Sequence, residues 1–418
     1  MDKFRITGRE TLSGELPVSG SKNSALPALA ACLLTEEPVI LHRVPRVKDI
    51  GTMLKLLEHN GAIVEWLEDG SLRIEAKKIV NPEAPYEIVK TMRASSLVLG
   101  PLAARTGVAR VSVPGGCSIG ARPINLHING LEHLGATVQQ EHGYIEAAAP
   151  DGLLGNTVHF ERITVTGTED LMMAAALARG KTVLENAARE PEVVDLAELL
   201  TKMGARIQGA GSSRIEIEGV ERLRGAEHTI IADRIEAGTL VIAGVITNSE
   251  VTVTGCVPEH FAALISKLRR AGARVEESAT AVRTTPVTRL RSVDVTTEEH
   301  PGFATDLQAQ FLALMTVATG ISFITENIFE NRFMHVPELA RMGANIRIEG
   351  RQAIVAGPSS LTGAQVMCSD LRASASLVLA ALVARGESIL DRVYHVDRGY
   401  ERIEDKLRQA GARIERID

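Results

Sequence analysis

The stretch LEHNGAIVEW, residues 57–66, reads as the last turn of a helix, a Gly-Ala step at Gly61, and the opening of a strand. Glycine just past a helix end supplies the left-handed residue that lets the chain leave the helix and turn into a strand. The same pattern recurs as LEHLGATVQQ (131–140), LTKMGARIQG (200–209), LRRAGARVEE (268–277), LARMGANIRI (339–348) and LRQAGARIER (407–416). The six glycines, Gly61, Gly135, Gly204, Gly272, Gly343 and Gly411, are spaced 74, 69, 68, 71 and 68 residues apart by subtraction. A period this regular marks a repeated supersecondary unit.

A second feature keeps step with the first. Helices of small apolar residues, each followed by a β-branched strand, read from SALPALAACLLTEEPVILHRV (24–44), RASSLVLGPLAARTGVARVSV (93–113), EDLMMAAALARGKTVLENA (169–187), AGTLVIAGVITNSEVTVTG (237–255), DLQAQFLALMTVATGISFITEN (306–327) and DLRASASLVLAALVARGESILDRV (370–393). Each unit therefore holds two helices and several strands, in an α/β class. FRITGRETLSG (4–14) resembles IEIEGVERLRG (215–225) and AIVAGPSSLTG (353–363), each with two glycines six apart. In the later copies this piece follows the Gly-Ala strand, but the first copy has no strand before it, and ARIERID (412–418) is a strand with no partner after it. The two ends are expected to complete one another. That gives two domains of three repeats: residues 1–21 with 232–418, and residues 22–231.

At 418 residues the chain exceeds one core, in agreement with two domains. Apolar residues make up 45% and charged residues 23%, the balance of a soluble globular protein. The net charge of -6 offers no global attraction for nucleic acid. No apolar run reaches the length that spans a bilayer, the opening MDKFRITGRE is not a signal peptide, and the four cysteines include no CxxC pair. The expectation is a reduced, cytoplasmic protein with free thiols, acting as a monomer.

The starts of the small-residue helices carry charged or amide groups: Ser21-Lys22-Asn23, Arg93, Thr168-Glu169-Asp170, Arg234 with Glu236, Asp306, and Asp370 with Arg372. Helix starts favour anions. If the repeats aim these starts at a common point, Lys22, Arg93 and Arg372 join Arg122 around a phosphorylated substrate. Asp306 and Asp370 also fit plain helix caps. Cys117 stands in a glycine loop, PGGCSIGARP (114–123), where a thiol is reachable; Cys32, Cys256 and Cys368 read as small buried hydrophobes. SGSKNS breaks the P-loop pattern, because Ser21 separates Gly20 from Lys22, and GAGSSR (209–214) lacks the third glycine of a dinucleotide fingerprint. With no HExxH and no zinc-like spacing, neither a metal nor a cofactor is expected.

SGSKNSALPALAACLL, KTMRAS, PGGCSIGARP, ENAAREPEVVD, DRIEAGT, HPGFATDLQAQF, FENRFMHVPELARMGA and YHVDRGYERIEDKL resemble the enolpyruvyl transferases of bacterial cell-wall synthesis, along the whole chain. The resemblance implies an inside-out α/β barrel in each of two domains, built from βαβαββ-type repeats. It implies transfer of the enolpyruvyl group of phosphoenolpyruvate to the 3'-hydroxyl of UDP-N-acetylglucosamine, with release of phosphate, by addition and elimination. Within it, Cys117 is the acid and Asp306 the base. Lys22, Asn23, Arg122 and Arg398 hold phosphoenolpyruvate, and Arg372 is a further cation of the site. Asn23, Arg93, Arg122, Pro123, Ile124, Asn125, Leu126, Thr164, Thr166, Asp306 and Ile328 bind the sugar nucleotide, the threonines through backbone amides of 164–168. Glu190 and Arg332 match motif positions without an assigned step. The sister transferase acting on shikimate 3-phosphate is the alternative, and the Cys117 loop argues against it. A repeat scaffold that only binds partners is a third reading, and the polar helix starts argue against that.

Overall fold

In the computed structural model the described residues are 2–90, 92–113 and 124–418. The chain divides into two units, one from the described parts of Met1–Ser19 and Ala232–Asp418, the other from those of Gly20–Gly116 and Arg122–Ile231. Each unit has its own apolar cluster.

Among the described residues six four-stranded sheets share one plan: a parallel pair, then two antiparallel neighbours. In one, Gln365–Met367 runs parallel to Glu387–Asp391, which lies antiparallel to Lys3–Thr7, which in turn lies antiparallel to Arg413–Ile417. The ends of the chain thus complete one sheet, with Ile6 opposite Ile414 and Lys3 opposite Ile417, as the repeat comparison expects. A second N-terminal strand, Ser13–Pro17, runs parallel to Glu250–Thr254 and sets Leu16 beside Val253. The second unit closes in the same way, with Glu227–Thr229 parallel to Val39–His42.

Alternation places one face of each sheet inward: Phe4 and Ile6 are wholly buried while Arg5 between them is exposed. The small-residue helices are buried almost all round, as expected of helices without a polar face. In the first unit Arg234–Ile246, Gln308–Met315 and Leu371–Val383 pack on one another; in the second, Lys22–Ala31 and Leu99–Thr106 both pack on Val165–Ala176. Amphipathic helices such as Lys48–Asn60 and Pro191–Lys202 cover them on one side and end in the Gly-Ala step. Gly61 and Gly204, at φ 104° and 108°, take the left-handed conformation that their sequence pattern requires. Among the described residues no helix is long and apolar enough to cross a membrane.

One boundary differs from expectation. The helix expected to start at Thr168-Glu169-Asp170 begins at Val165, because the Thr164 hydroxyl accepts the Gly167 amide and caps it there. Thr168, Glu169 and Asp170 lie within its first turns and are buried.

Candidate active site

Asp306 stands in the short turn Thr305–Leu307 that leads into Gln308–Met315. It does not cap that helix. Its carboxylate is gripped from two sides: Arg332 Nη2 donates to Oδ1 at 2.6 Å, and Arg372 donates to Oδ2 through Nε at 3.1 Å and Nη2 at 2.9 Å. The arginine side chains are only 5% and 4% exposed, whereas that of Asp306 is 27% exposed. The arrangement is a carboxylate held rigidly from behind with part of its surface open.

Arg372 owes its place to Asp370, which caps the helix Leu371–Val383 by accepting the amides of Arg372 and Ala373. Burial, the largest single influence, weakens the charge of Arg372, but the Asp306 carboxylate together with Tyr400 and Asp233 more than offsets it and raises the guanidinium above its ordinary value. The ring of Tyr400 lies 5.3 Å from the same guanidinium. Tyr400 itself is tied by its hydroxyl to Thr239 at 2.9 Å and to Gln310 at 3.1 Å, and Gln310 Nε2 also donates to the carbonyl of Asp306. His335, buried nearby, is pushed down to about 4 by burial, and Arg332 adds to the effect against the opposing pull of Asp370, so its imidazole is neutral at neutral pH.

Arg398 ends the turn Val393–Arg398 and is half-buried. Its neighbour Asp397 is clasped by Arg416 at 2.7 and 3.1 Å, a contact that fixes this turn to the C-terminal strand. Ile328, half-buried, donates its amide to Glu326 at 2.9 Å.

In the other unit Lys22 is the first residue of Lys22–Ala31, with Ser21 capping through the Ser24 amide. Its ammonium lies 3.3 Å from Asp49, and both side chains are largely buried. Asn23 is half-buried beside it. Arg93 opens the turn Arg93–Val98. Asn125 opens the helix Asn125–His133 and is exposed, while Ile124 and Leu126 lean on the core. Thr166 is exposed, with its hydroxyl 3.2 Å from His127, which bonds Asp170 at 3.1 Å. The amides of Gly167 and Thr168 are consumed by Thr164 in the helix start, so of the amides expected to face the nucleotide these two are already engaged. Cys117, Arg122 and Pro123 lie outside the described residues. The other three cysteines are buried, as expected.

The structure joins Asp306 to Arg372 and adds Arg332, which the sequence left without a step. It also removes one candidate: Glu236 is a buried partner of Lys406, at 2.6 Å, and accepts the Ser19 amide, a structural role within its unit. Sequence reasoning missed Asp49, Tyr400 and Glu326, because no motif or period announces contacts between residues so far apart. Among the described residues no group of His, Cys, Asp and Glu is placed to hold a metal ion.

A family model described as EPSP synthase (3-phosphoshikimate 1-carboxyvinyltransferase) matches residues 6–407. The chain is 70% identical over 419 residues to the UDP-N-acetylglucosamine 1-carboxyvinyltransferase of Solibacter usitatus, covering all of both chains. It is 61% identical over 421 residues to the enzyme of that name from Koribacter versatilis, covering all of this chain and 97% of the relative. The solved enolpyruvyl transferase NikO from Streptomyces tendae superposes with a TM-score of 0.89 at 26% identity, over 99% of this chain and 98% of that one. An EPSP synthase from Acinetobacter baumannii, 18% identical, shares the fold over the full length of both chains with a TM-score of 0.76. With a family match across nearly its whole length and such close relatives, the chain belongs to the enolpyruvyl transferases of the EPSP synthase family.

Proposed function

We propose that this protein transfers the enolpyruvyl group of phosphoenolpyruvate to the 3'-hydroxyl of UDP-N-acetylglucosamine and releases phosphate, the first committed step toward peptidoglycan precursors. The observation that carries the reading is the 70% identity, end to end, to an enzyme of that name. Asp306 is the base: an open-faced carboxylate whose rear oxygens are fixed by Arg332 and Arg372, ready to take the proton of the attacking hydroxyl. The new C–O bond forms at C2 of phosphoenolpyruvate while Cys117 delivers a proton to the CH2 carbon. The tetrahedral ketal then loses that carbon's proton and expels phosphate. Lys22, Asn23, Arg122 and Arg398 bind the phosphoenolpyruvate anion, and Arg372 adds its charge. Arg93, Pro123, Ile124, Asn125, Leu126, Thr164, Thr166 and Ile328 join Asn23, Arg122 and Asp306 around the sugar nucleotide.

The proposal extends to the architecture: two domains, 1–21 with 232–418 and 22–231, each an inside-out α/β barrel of three repeats. The enzyme works in the cytoplasm as a monomer. A phosphate-release assay tests the reading. Purified protein given phosphoenolpyruvate is expected to release phosphate with UDP-N-acetylglucosamine and not with shikimate 3-phosphate; the reverse preference would replace this reading with the sister reaction.

A further inference from the structure

Glu326 lies just past the strand Gly320–Thr325 and is 1% exposed. A buried carboxylate needs several donors to persist, and Glu326 has four of them from three segments. Oε1 accepts from Thr297 Oγ1 at 2.9 Å and from the amides of Ile328 and Phe329 at 2.9 and 3.2 Å. Oε2 accepts from Thr305 Oγ1 at 2.8 Å.

The Thr305 contact fixes the direction of a longer chain. Arg332 Nη1 donates to Thr305 Oγ1 at 2.9 Å. A guanidinium only donates, so the threonine hydroxyl must accept there and point its own hydrogen at Glu326. The other terminal nitrogen of Arg332, Nη2, grips Asp306. We infer that Glu326 is a positioning residue, which through Thr305 and Arg332 sets the orientation of Asp306 and through two amides holds the Ile328 turn in register with it. With a guanidinium donating at one end and a carboxylate accepting at the other, the Thr305 hydrogen has a single direction. An amide at position 326 would turn its NH2 toward a donor on either side. The backbone amides cannot rotate, so the NH2 falls to Thr305, whose hydroxyl must swing its hydrogen away and accept instead; the charge-assisted link to Thr305 is the one that is lost.

This inference rests on the proposed reaction, with Asp306 as its base, and its test separates the two. Steady-state phosphate release is measured for the unmodified protein, Glu326→Gln, Thr305→Val, Thr305→Ser and the double variant Glu326→Gln/Thr305→Val, with thermal midpoints for each. Glu326→Gln and Thr305→Val are each expected to lower kcat roughly tenfold to a hundredfold, because small misplacement of a reacting group is costly. The loss is expected in kcat rather than in the KM for phosphoenolpyruvate, because the proposed binding residues Lys22, Asn23, Arg122 and Arg398 are not members of the Glu326–Thr305–Arg332–Asp306 path. Thr305→Ser, which keeps the hydroxyl, is expected to retain most of kcat. The double variant should lose no more than the worse single one, the mark of two groups on one path. Losses that multiply, or a Glu326→Gln enzyme equal to the parent, would overturn the inference. If Glu326→Gln fails to fold, the Thr305 pair decides: Val low with Ser high supports it, and Val and Ser alike overturn it. An unmodified protein without turnover would instead overthrow the reaction itself.

Discussion

Burial sorts the ionisable side chains of this protein into those fit for chemistry and those withdrawn from it. Cys368 has its thiol pushed up to about 11 by burial, and burial raises Cys32 further still. Cys256 is buried as well. At pH 7.5 an epoxide thiol reagent such as fosfomycin is therefore expected to mark Cys117 alone, and peptide mapping by mass spectrometry checks this; Cys117→Ser should take no label and lose turnover with its thermal midpoint unchanged. Glu169 is the carboxylate counterpart. Burial first, then the neighbouring Glu192, Glu190 and Asp170, raise its carboxyl well above the ordinary 4.5. The fold keeps a proton that the unfolded chain releases, so above the ordinary value stability falls as pH rises toward the raised one. Glu169→Gln should raise the thermal midpoint at pH 8 and do so less at pH 5. The burial of Cys32, Cys256 and Cys368 was legible from the residues in order, whereas the crowding of carboxylates around Glu169 was not. Cys117 stood out by its glycine loop, and Asp306 and Arg372 by their helix starts, but Arg332, 26 residues from the Asp306 it grips, lies at no such start.

Helices and strands were far more legible, because their signals are local. The Gly-Ala step marks a helix end wherever the next residues must turn back into a strand, and the structure puts a left-handed glycine at each of the six positions. The misjudged start at 168–170 shows the limit: Thr164 caps one turn earlier, and a run of polar residues does not say which of them takes the amide. The glycines differ in what they tolerate. A methyl group on Gly204 meets little but Arg224 Nε at 3.7 Å, so Gly204→Ala should cost about 1 kcal/mol from backbone strain alone. On Gly219 it would sit 1.6 Å from the Ala178 carbonyl oxygen, and the strand must move off its helix, so Gly219→Ala should cost nearer ~3 kcal/mol. Denaturant midpoints of the two variants, compared at equal m-value, test the ranking.

The chain as a whole was readable in its repeats and in the exchange between its ends, since a fragment lacking its partner at one terminus and a spare strand at the other predict one another. Lys3 and Ile417 are neighbours across one ladder, so the termini abut. Joining residue 418 to residue 2 through a short flexible linker and reopening the chain at the exposed Gly211-Ser212 turn should give a protein that folds and keeps its turnover. Circular dichroism and phosphate release check it, and a permuted chain that aggregates would count against so simple a closure.

That ladder also sets a timetable for biosynthesis. The strand Lys3–Thr7 has a neighbour on each side, Glu387–Asp391 and Arg413–Ile417, and both are translated long after it. The segment 20–231 can settle while translation continues, but Lys3–Thr7 must wait, uncovered, until its two neighbours have been made. Its two inward residues, Phe4 and Ile6, are an invitation to chaperones during that interval.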